Sequence, residues 1–225
     1  MDRLPEVTLG GIDERDRRSE MQNRASALRD LWGQRGKRYE RCTFGNFTAA
    51  TQQQKAALAT ARDYAVQVQQ HVKAGRGLVF YGPPGTGKDH LLACVMRRAI
   101  QVGVKVAWHS GVRLFVDLRD CIDGNGSERE WLRAVVRPPV LAISDPVSPI
   151  GELTRHQAEM FFTALDERYS HMRPTWVTAN VAGNEDADGR LTASIMDRLK
   201  DGSVVVPCDW ASYRKPLQAN KDTRR

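Results

Sequence analysis

The sequence contains no long apolar run. Hydrophobic side chains make up 41% of its 225 residues. The longest uninterrupted apolar stretches nevertheless fall far short of the about 18 residues that a membrane-spanning helix requires. The amino-terminal stretch MDRLPEVTLGGIDERDRR also has no apolar signal core. These absences exclude a membrane protein with spanning helices, and they predict a cytoplasmic location with no membrane partner.

Cysteines are few and scattered along the chain. Cys42, Cys94, Cys121 and Cys208 show no spacing typical of metal ligands. We therefore expect reduced, mostly buried thiols rather than a disulfide framework. No Ser/His/Asp or Cys/His arrangement stands out that would indicate nucleophilic catalysis.

The chain carries an excess of positive charge. Its 34 Lys and Arg residues outnumber its 27 Asp and Glu residues, which gives a formal net charge of +7. A basic balance permits nucleic-acid binding through neutralisation of phosphates. A merely basic surface is equally compatible with this count, because charge alone locates no element that reads a groove.

Residues 1–37 differ in composition from the rest and are called the N-terminal arm here. They are rich in Arg and acidic residues and contain few large apolar groups. A helix is predicted from about Glu14 to Trp32, and GQRGKR should end it. Its apolar face consists of Met21, Ala25, Leu28 and Trp32. Such a helix either binds a partner or lies solvated on the main domain.

Residues 38–215 read as one α/β domain, followed by a basic tail at 216–225. A helix is predicted over Thr51–Val72, and three more follow the first, second and third predicted strands. Strands that alternate with helices imply parallel pairing and right-handed crossovers. The predicted strands are GLVFY (77–81), VKVAWH (104–109), PVLAIS (139–144), PTWVTAN (174–180) and SVVVP (203–207).

The stretch GPPGTGKDH matches most of a phosphate-binding loop. Gly82, Gly87 and Lys88 fill the pattern G-x-x-x-x-G-K between a predicted strand and a predicted helix, the context that the motif requires. Glycines let backbone N–H groups turn toward phosphates, the helix adds its positive end, and the lysine adds a mobile charge. The predicted nucleotide-binding residues are Gly82, Pro83, Pro84, Gly85, Thr86, Gly87, Lys88, Asp89 and His90.

Two positions depart from the motif. Asp89 stands where a Ser or Thr hydroxyl should bind magnesium, and Ser144 stands where the third strand should present its first acidic residue. Asp145 follows. Since neighbouring strand residues face opposite sides, either Asp145 activates water, or it is the magnesium partner and Pro146 takes the catalytic place. The four apolar residues before Ser144 favour the first register.

The two departures complement each other chemically. The hydroxyl missing at Asp89 reappears at Ser144, and the carboxylate missing at Ser144 reappears at Asp89. Magnesium accepts such oxygen ligands together with several waters. One hypothesis is a reciprocal exchange that preserves a metal site formed by Asp89, Ser144 and Asp145. The alternative is decay to a protein that binds nucleotide without hydrolysing it.

The chain resembles the DnaC-type helicase loaders and the related IstB-type transposition helpers, a branch of the AAA+ ATPases. The resemblance runs from about Arg38 to Lys215. It rests on motifs in a characteristic order and spacing: RYERCTFGNF, TQQQKAA, GPPGTGKDHLL, LAISDP, RPTWVTAN, IMDRL and WASYR. It implies a P-loop NTPase fold, with a five-stranded parallel sheet in the order 5-1-4-3-2 flanked by helices.

The resemblance also implies roles for individual residues. Asn180 matches the polar sensor between the γ-phosphate and the attacking water, and Arg214 matches a second sensor within the same subunit. Arg198 is the candidate arginine finger toward a neighbouring subunit. Loaders often carry another Arg at the place of Ser194, so Arg190 is a substitute candidate. The segment Phe44–Phe47 should lie near the adenine, Tyr213 should be a packing residue, and His90 should be structural or near the phosphates.

Three functions follow from the resemblance. The first is an ATP- and Mg²⁺-dependent helicase loader that binds a replicative helicase and single-stranded DNA, in which ATP would switch either homo-oligomerisation or the grip on DNA. The N-terminal arm would contact the helicase, and the tail KPLQANKDTRR could contact DNA phosphates. The second is a transposition helper that bridges a transposase and target DNA. The third is a nucleotide-sensing scaffold that does not hydrolyse ATP.

Overall fold

The computed structural model describes residues 14–121, 124, 126–146, 152–181 and 183–214. The basic tail at 216–225 and the first part of the N-terminal arm lie outside these ranges. Within them, no helix is both long enough and apolar enough to cross a membrane. The domain boundary predicted between residues 37 and 38 stays a prediction.

Five parallel strands form one sheet in the order β2-β3-β4-β1-β5. In the register of the sheet, Val79 pairs with Val177 and Ser144 pairs with Thr178. Read from β5, this order is the predicted 5-1-4-3-2, and the prediction is confirmed. The strands are β1 (Leu78–Tyr81), β2 (Val106–Ser110), β3 (Val140–Ser144), β4 (Thr175–Ala179) and β5 (Val204–Pro207).

Helices cover both faces of the sheet, and their ends follow from local chemistry. Thr51 and Gln54 form a capping box at the start of α3, in which each side chain accepts a hydrogen bond from the other's backbone N–H. The helices are α1 (Glu14–Arg35), α2 (Lys37–Glu40), α3 (Gln52–Val66), α4 (Val68–Lys73), α5 (Lys88–Gln101), α6 (Gly111–Asp120), α7 (Glu128–Val136), α8 (Arg155–Ser170), α9 (Asn184–Leu191) and α10 (Ala193–Lys200).

Three predicted boundaries were wrong. The single helix predicted over 51–72 is two helices, which are separated at Gln67. The break lets the Val68 side chain enter the core, while the Val66 side chain stays exposed. The second strand begins at Val106 rather than at 104, because the Val104 N–H bonds back to the last turn of α5. Helix α1 continues beyond Trp32 and ends at Arg35.

The core has two halves because successive strand residues point to opposite faces of the sheet. The half covered by α1, α3, α4 and α5 receives Leu78, Phe80, Val140, Ala142, Trp176 and Val206. The half covered by α6 to α10 receives Val79, Leu141, Ile143, Val177 and Ala179. Helix α1 belongs to the first half, because Leu31 and Trp32 are buried there.

The strand order brings three chain segments to one edge. Strand β4 lies between β3 and β1, so the residues that follow these three strands meet where the strands end. These are the loop after β1, Asp145 after β3 and Asn180 after β4. The topology therefore assembles the predicted site residues at the carboxyl edge of the sheet.

Candidate functional site

The glycine-rich loop between β1 and α5 has the backbone shape that its sequence predicts. Gly82 has a φ of 143° and Gly87 a φ of 86°, in the region that favours glycine. A Cβ atom at Gly82 would lie 2.4 Å from the Cys208 carbonyl oxygen, and one at Gly87 would lie 2.8 Å from the Phe47 ring. Both positions therefore require glycine.

Lys88 is the first residue of α5 and is almost completely buried. Its ammonium group donates to the carbonyls of Gly82 at 2.8 Å and Pro83 at 2.7 Å. Burial lowers the pKa of Lys88, and nearby carboxylates oppose this shift. Two backbone carbonyls thus hold the ammonium group of Lys88 inside the loop. A phosphate could take their place, because hydrogen bonds between two charged groups are stronger.

A cavity of about 580 Å³ lies in front of the loop, a volume within the range of small-molecule sites. Polar and charged groups from distant parts of the sequence meet in it. Its lining includes Arg38, Tyr39, Arg41, Cys42, Asn46, Phe47, Thr48, Gly85, Gly87, Lys88, Asp89, His90, Asn180, Tyr213 and Arg214.

The segment predicted to lie near adenine reaches this cavity through Asn46 and Phe47. The Phe47 ring packs edge-on against His90 at 5.4 Å and against Tyr213 at 6.0 Å between ring centroids. The Thr43 carbonyl lies 2.8 Å from His90 Nε2. Phe44 is outside the cavity lining, with the Arg62 guanidinium 6.0 Å from its ring centroid. His90 thus ties α5 to the segment after α2.

The chain after β5 returns to the loop and packs against it. The Trp210 indole N–H donates to the Thr86 carbonyl at 3.0 Å, and the Tyr213 N–H donates to the Gly85 carbonyl at 2.9 Å. The Tyr213 hydroxyl donates to the Thr48 carbonyl at 2.6 Å. These bonds place Arg214 in the lining of the cavity.

Asp89 and Ser144 contact each other directly. The Ser144 hydroxyl donates to Asp89 Oδ1 at 2.6 Å, and the Thr178 hydroxyl donates to the same oxygen at 3.2 Å. The Trp108 indole N–H donates to Ser144 Oγ at 2.9 Å. The two positions that depart from the motif therefore form one hydrogen-bonded unit.

Arg35, a residue that sequence reasoning missed, completes this unit. Its Nη2 donates to Asp89 Oδ1 at 2.8 Å and to the Asp89 carbonyl at 3.0 Å. The guanidinium is buried between the rings of Tyr39 and Trp108, at 4.4 and 5.2 Å from their centroids. One feature of the sequence could have pointed to Arg35. It lies three residues after Trp32 on α1, and residues at this spacing share one face of a helix.

Asp145 contacts Asn180 rather than Asp89. Its Oδ1 accepts a hydrogen bond from the Asn180 N–H at 3.1 Å, and its Oδ2 accepts one from the Asn180 side-chain amide. Burial raises the pKa of Asp145, whereas the bonds from Asn180 oppose this shift. With a φ of 54°, Asp145 bends the chain after β3. In the favoured register, Ser144 takes the first acidic position after β3 and Asp145 takes the second. The structure is consistent with this register, because Ser144 contacts Asp89 and Asp145 contacts Asn180. The roles of these residues in magnesium binding and water activation stay predictions.

The two candidate arginine fingers occupy different places. Arg198 forms an ion pair with Asp166 at 2.8 Å and lies over the Tyr169 ring at 4.8 Å, beside the residues that precede β4 and β5. It is therefore at the sheet edge opposite the loop. Arg190 donates to the Asn180 carbonyl at 2.8 Å and so contacts the site of its own subunit. Ser194 is exposed.

The donor set fits a magnesium ion carried by a nucleotide better than a resident metal ion. Among the described residues, no cluster of three or more His, Cys, Asp or Glu side chains could hold a metal on its own. Asp89 lines the cavity, and none of the described side chains donates to its Oδ2. Magnesium needs few protein ligands when phosphates and waters supply the rest.

Comparisons with known proteins link this geometry to a family. A family model described as IstB-like ATP binding protein matches residues 10–221. The replicative helicase loader DnaC of Escherichia coli strain K12 is 27% identical over 198 residues, which cover 87% of this chain and 79% of DnaC. The insertion sequence IS5376 ATP-binding protein of Geobacillus stearothermophilus is 32% identical over 153 residues, 64% of this chain and 59% of that protein.

Solved structures share the fold at lower identity. A crystal structure of the DnaC helicase loader superposes with a TM-score of 0.67 at 23% identity, covering 76% of this chain and 99% of that one. DnaA from Aquifex aeolicus bound to AMPPCP gives 0.59 at 16% identity, covering 74% of this chain and 49% of that one. These likenesses confirm the predicted P-loop AAA+ fold.

Proposed function

The chain belongs to the family of IstB-like ATP-binding proteins, and from this premise we propose that it binds ATP and acts as a loader of a replicative helicase. The family prediction made from the sequence motifs is thereby confirmed. Its members are in general AAA+ ATPases. DnaC of Escherichia coli, to which the chain is similar over 198 residues, is a replicative helicase loader. The observation that carries ATP binding is that the glycine-rich loop, Lys88, Asn180 and Arg214 line one and the same cavity.

Each part of the nucleotide has residues in the cavity that can hold it. The backbone of the loop and Lys88 would hold the phosphates, and Phe47 offers an apolar surface for a base. Arg214 would add a second positive charge near the phosphates. Asp89 and Ser144 would hold the magnesium ion, which neutralises phosphate charge when bound.

Hydrolysis is proposed to depend on the pair of Asp145 and Asn180. The Asp145 carboxylate, whose pKa burial raises, is a suitable acceptor for a proton from an attacking water. Asn180 holds both carboxylate oxygens and fixes their direction. Arg198, in its ion pair with Asp166, has to reach a neighbouring subunit if it stabilises charge in the transition state.

Loading is proposed to use two further surfaces. Helix α1 presents exposed polar residues outside its buried face and would contact the helicase. The positive net charge would support contact with single-stranded DNA through its phosphates. ATP-dependent oligomerisation would place Arg198 next to the cavity of another subunit.

The second candidate function is a transposition helper. The specific observation in its favour is the 32% identity to the ATP-binding protein of an insertion sequence, higher than the 27% identity to DnaC, although it covers less of the chain. Both functions use the same nucleotide site. They differ in the protein partner, a replicative helicase or a transposase.

A pull-down from the native cell, with ATP and without it, separates these functions. We expect the replicative helicase to be captured by the wild-type chain in an ATP-dependent manner and to be lost with Lys88→Ala. Recovery of a transposase instead would replace loading by transposition. Phosphate release that stays at background with and without single-stranded DNA would exclude hydrolysis and leave the nucleotide-sensing scaffold.

A further inference from the structure

Arg35 reaches the nucleotide site from outside the glycine-rich loop. It is the last residue of α1, while its partner Asp89 is the second residue of α5. The guanidinium is not part of the cavity lining, but Asp89 is. Arg35 therefore lies behind the cavity wall, where it donates hydrogen bonds to Asp89 and stacks on the ring of Tyr39, and it can influence a nucleotide through these lining residues.

The hydrogen bonds around Asp89 divide its two oxygens into different roles. Oδ1 accepts from Arg35, from Ser144 and from Thr178. Because Trp108 donates to the Ser144 oxygen, the Ser144 proton is left to point at Asp89. Oδ1 is thus fully used by the protein, and Oδ2 is the oxygen available to a cation.

The charge of Arg35 acts on that available oxygen. The guanidinium has no exposed side-chain surface, so water screens its field only weakly. Two positive charges a few ångströms apart repel each other, and the repulsion is stronger where water is excluded. The same field opposes a magnesium ion at Asp89.

We propose that Arg35 is a positioning residue of the nucleotide site, a fixed counter-charge that holds Asp89 in place and weakens its grip on the magnesium ion of Mg-ATP. The proposal rests on the proposed ATP binding. The site thereby tolerates a carboxylate where a neutral hydroxyl is usual, without binding magnesium too tightly.

The test measures how nucleotide binding depends on magnesium. A fluorescent ATP analogue is titrated with MgCl₂ for the wild-type protein and for Arg35→Met, and the midpoint of the magnesium-dependent increase is compared. Arg35→Met should lower the midpoint magnesium concentration about tenfold or more, because the opposing charge is gone. Arg35→Lys should stay near the wild type. Loss of the fold would instead abolish nucleotide binding.

Arg97→Met is the matched control. Arg97 also joins α5 to α1, with its guanidinium 5.0 Å from the Trp32 ring centroid, but it makes no contact with Asp89. Its loss should leave the magnesium midpoint unchanged. If Arg35→Met does not fold, Arg35→Gln removes the charge while keeping a polar side chain, and the same shift is expected.

The possible results separate this inference from the proposed function. Nucleotide binding with an unshifted or raised magnesium midpoint in the charge-removing variant overturns the role of Arg35 and leaves ATP binding intact. An equal decrease in the Arg97→Met control also overturns it, since the effect would then come from loosening α1. No nucleotide binding by the wild-type protein, with or without magnesium, overturns both.

Discussion

The ion pair between Arg35 and Asp89 should couple the stability of α1 to that of the site. The perturbation is a double-mutant cycle of Arg35→Met and Asp89→Asn. Asn keeps an oxygen at Oδ1 that can accept from Arg35, so this change removes charge with little change in shape. The Arg35 side chain is 0% exposed and that of Asp89 34% exposed, so one partner is fully desolvated and the other is partly solvated.

The expected coupling lies between the values for buried and exposed pairs. Breaking a fully buried pair costs about 3–5 kcal/mol, and exposed pairs contribute about 0.2–1 kcal/mol. Because the Asp89 side chain is partly exposed, breaking this pair should cost less than breaking a fully buried pair. We therefore expect each single variant to lose stability and the interaction energy of the cycle, which reports the charge interaction, to be about 2 kcal/mol, between the values for exposed and buried pairs.

The assay is urea unfolding without nucleotide and in EDTA, followed by tryptophan fluorescence and by circular dichroism. Trp32 and Trp108, two of the five tryptophans, lie beside this region and contribute to the fluorescence signal. Coincident transitions by the two signals are needed before the free energies of unfolding are compared. An interaction energy below about 0.5 kcal/mol would refute the reasoning, because the pair would then behave like an exposed one.

Four further predictions concern the loop and its neighbours. Lys88→Ala should weaken nucleotide binding by about thirtyfold or more, because a charge-assisted contact is lost; unchanged affinity would contradict the proposed site. Asp145→Asn should slow phosphate release by about 10²–10⁴-fold, as loss of a general base does, with nucleotide affinity retained; a parallel loss of affinity would argue against this role. Gly82→Ala should destabilise the domain by about 2 kcal/mol or more in urea unfolding, since its Cβ would meet a backbone oxygen at 2.4 Å; a neutral change would show that this contact can relax. Asp89→Thr and Ser144→Asp should each lose magnesium-dependent turnover and recover part of it together, and full activity in either single variant would disprove the reciprocal exchange.

The sequence predicted the architecture because the relevant signals are local. Apolar runs ending in turn-forming residues mark the strands, and the motif after β1 needs only its immediate neighbours. The sheet order, in contrast, came from the family resemblance, since alternating strands and helices fit several orders. The break at Gln67 could not be predicted, because no Gly or Pro marks it and the apolar spacing of Ala61, Ala65, Val68 and Val72 continues through it.

The contacts within the site were harder to predict because they are non-local. Arg35 and Asp89 are 54 positions apart in the sequence, and no pattern joins the end of α1 to the start of α5. The sequence predicted Asp89 and Ser144 as two ligands of one magnesium ion, whereas the direct hydrogen bond between them was not predicted. The left-handed backbone of Asp145 had no local signal, since Asp before Pro is typical of an extended residue.

The dependence of residue 89 on residue 35 has an evolutionary consequence. If Asp89 were replaced by Ser or Thr, the buried guanidinium of Arg35 would have no carboxylate partner. If Arg35 alone were lost, the negative charge of Asp89 would have no counter-charge beside the triphosphate. We expect neither single step to be neutral, and therefore expect the two positions to change jointly or through a tolerant intermediate such as Asn. Homologues with a hydroxyl at the loop should consequently carry an uncharged residue at the end of their first helix.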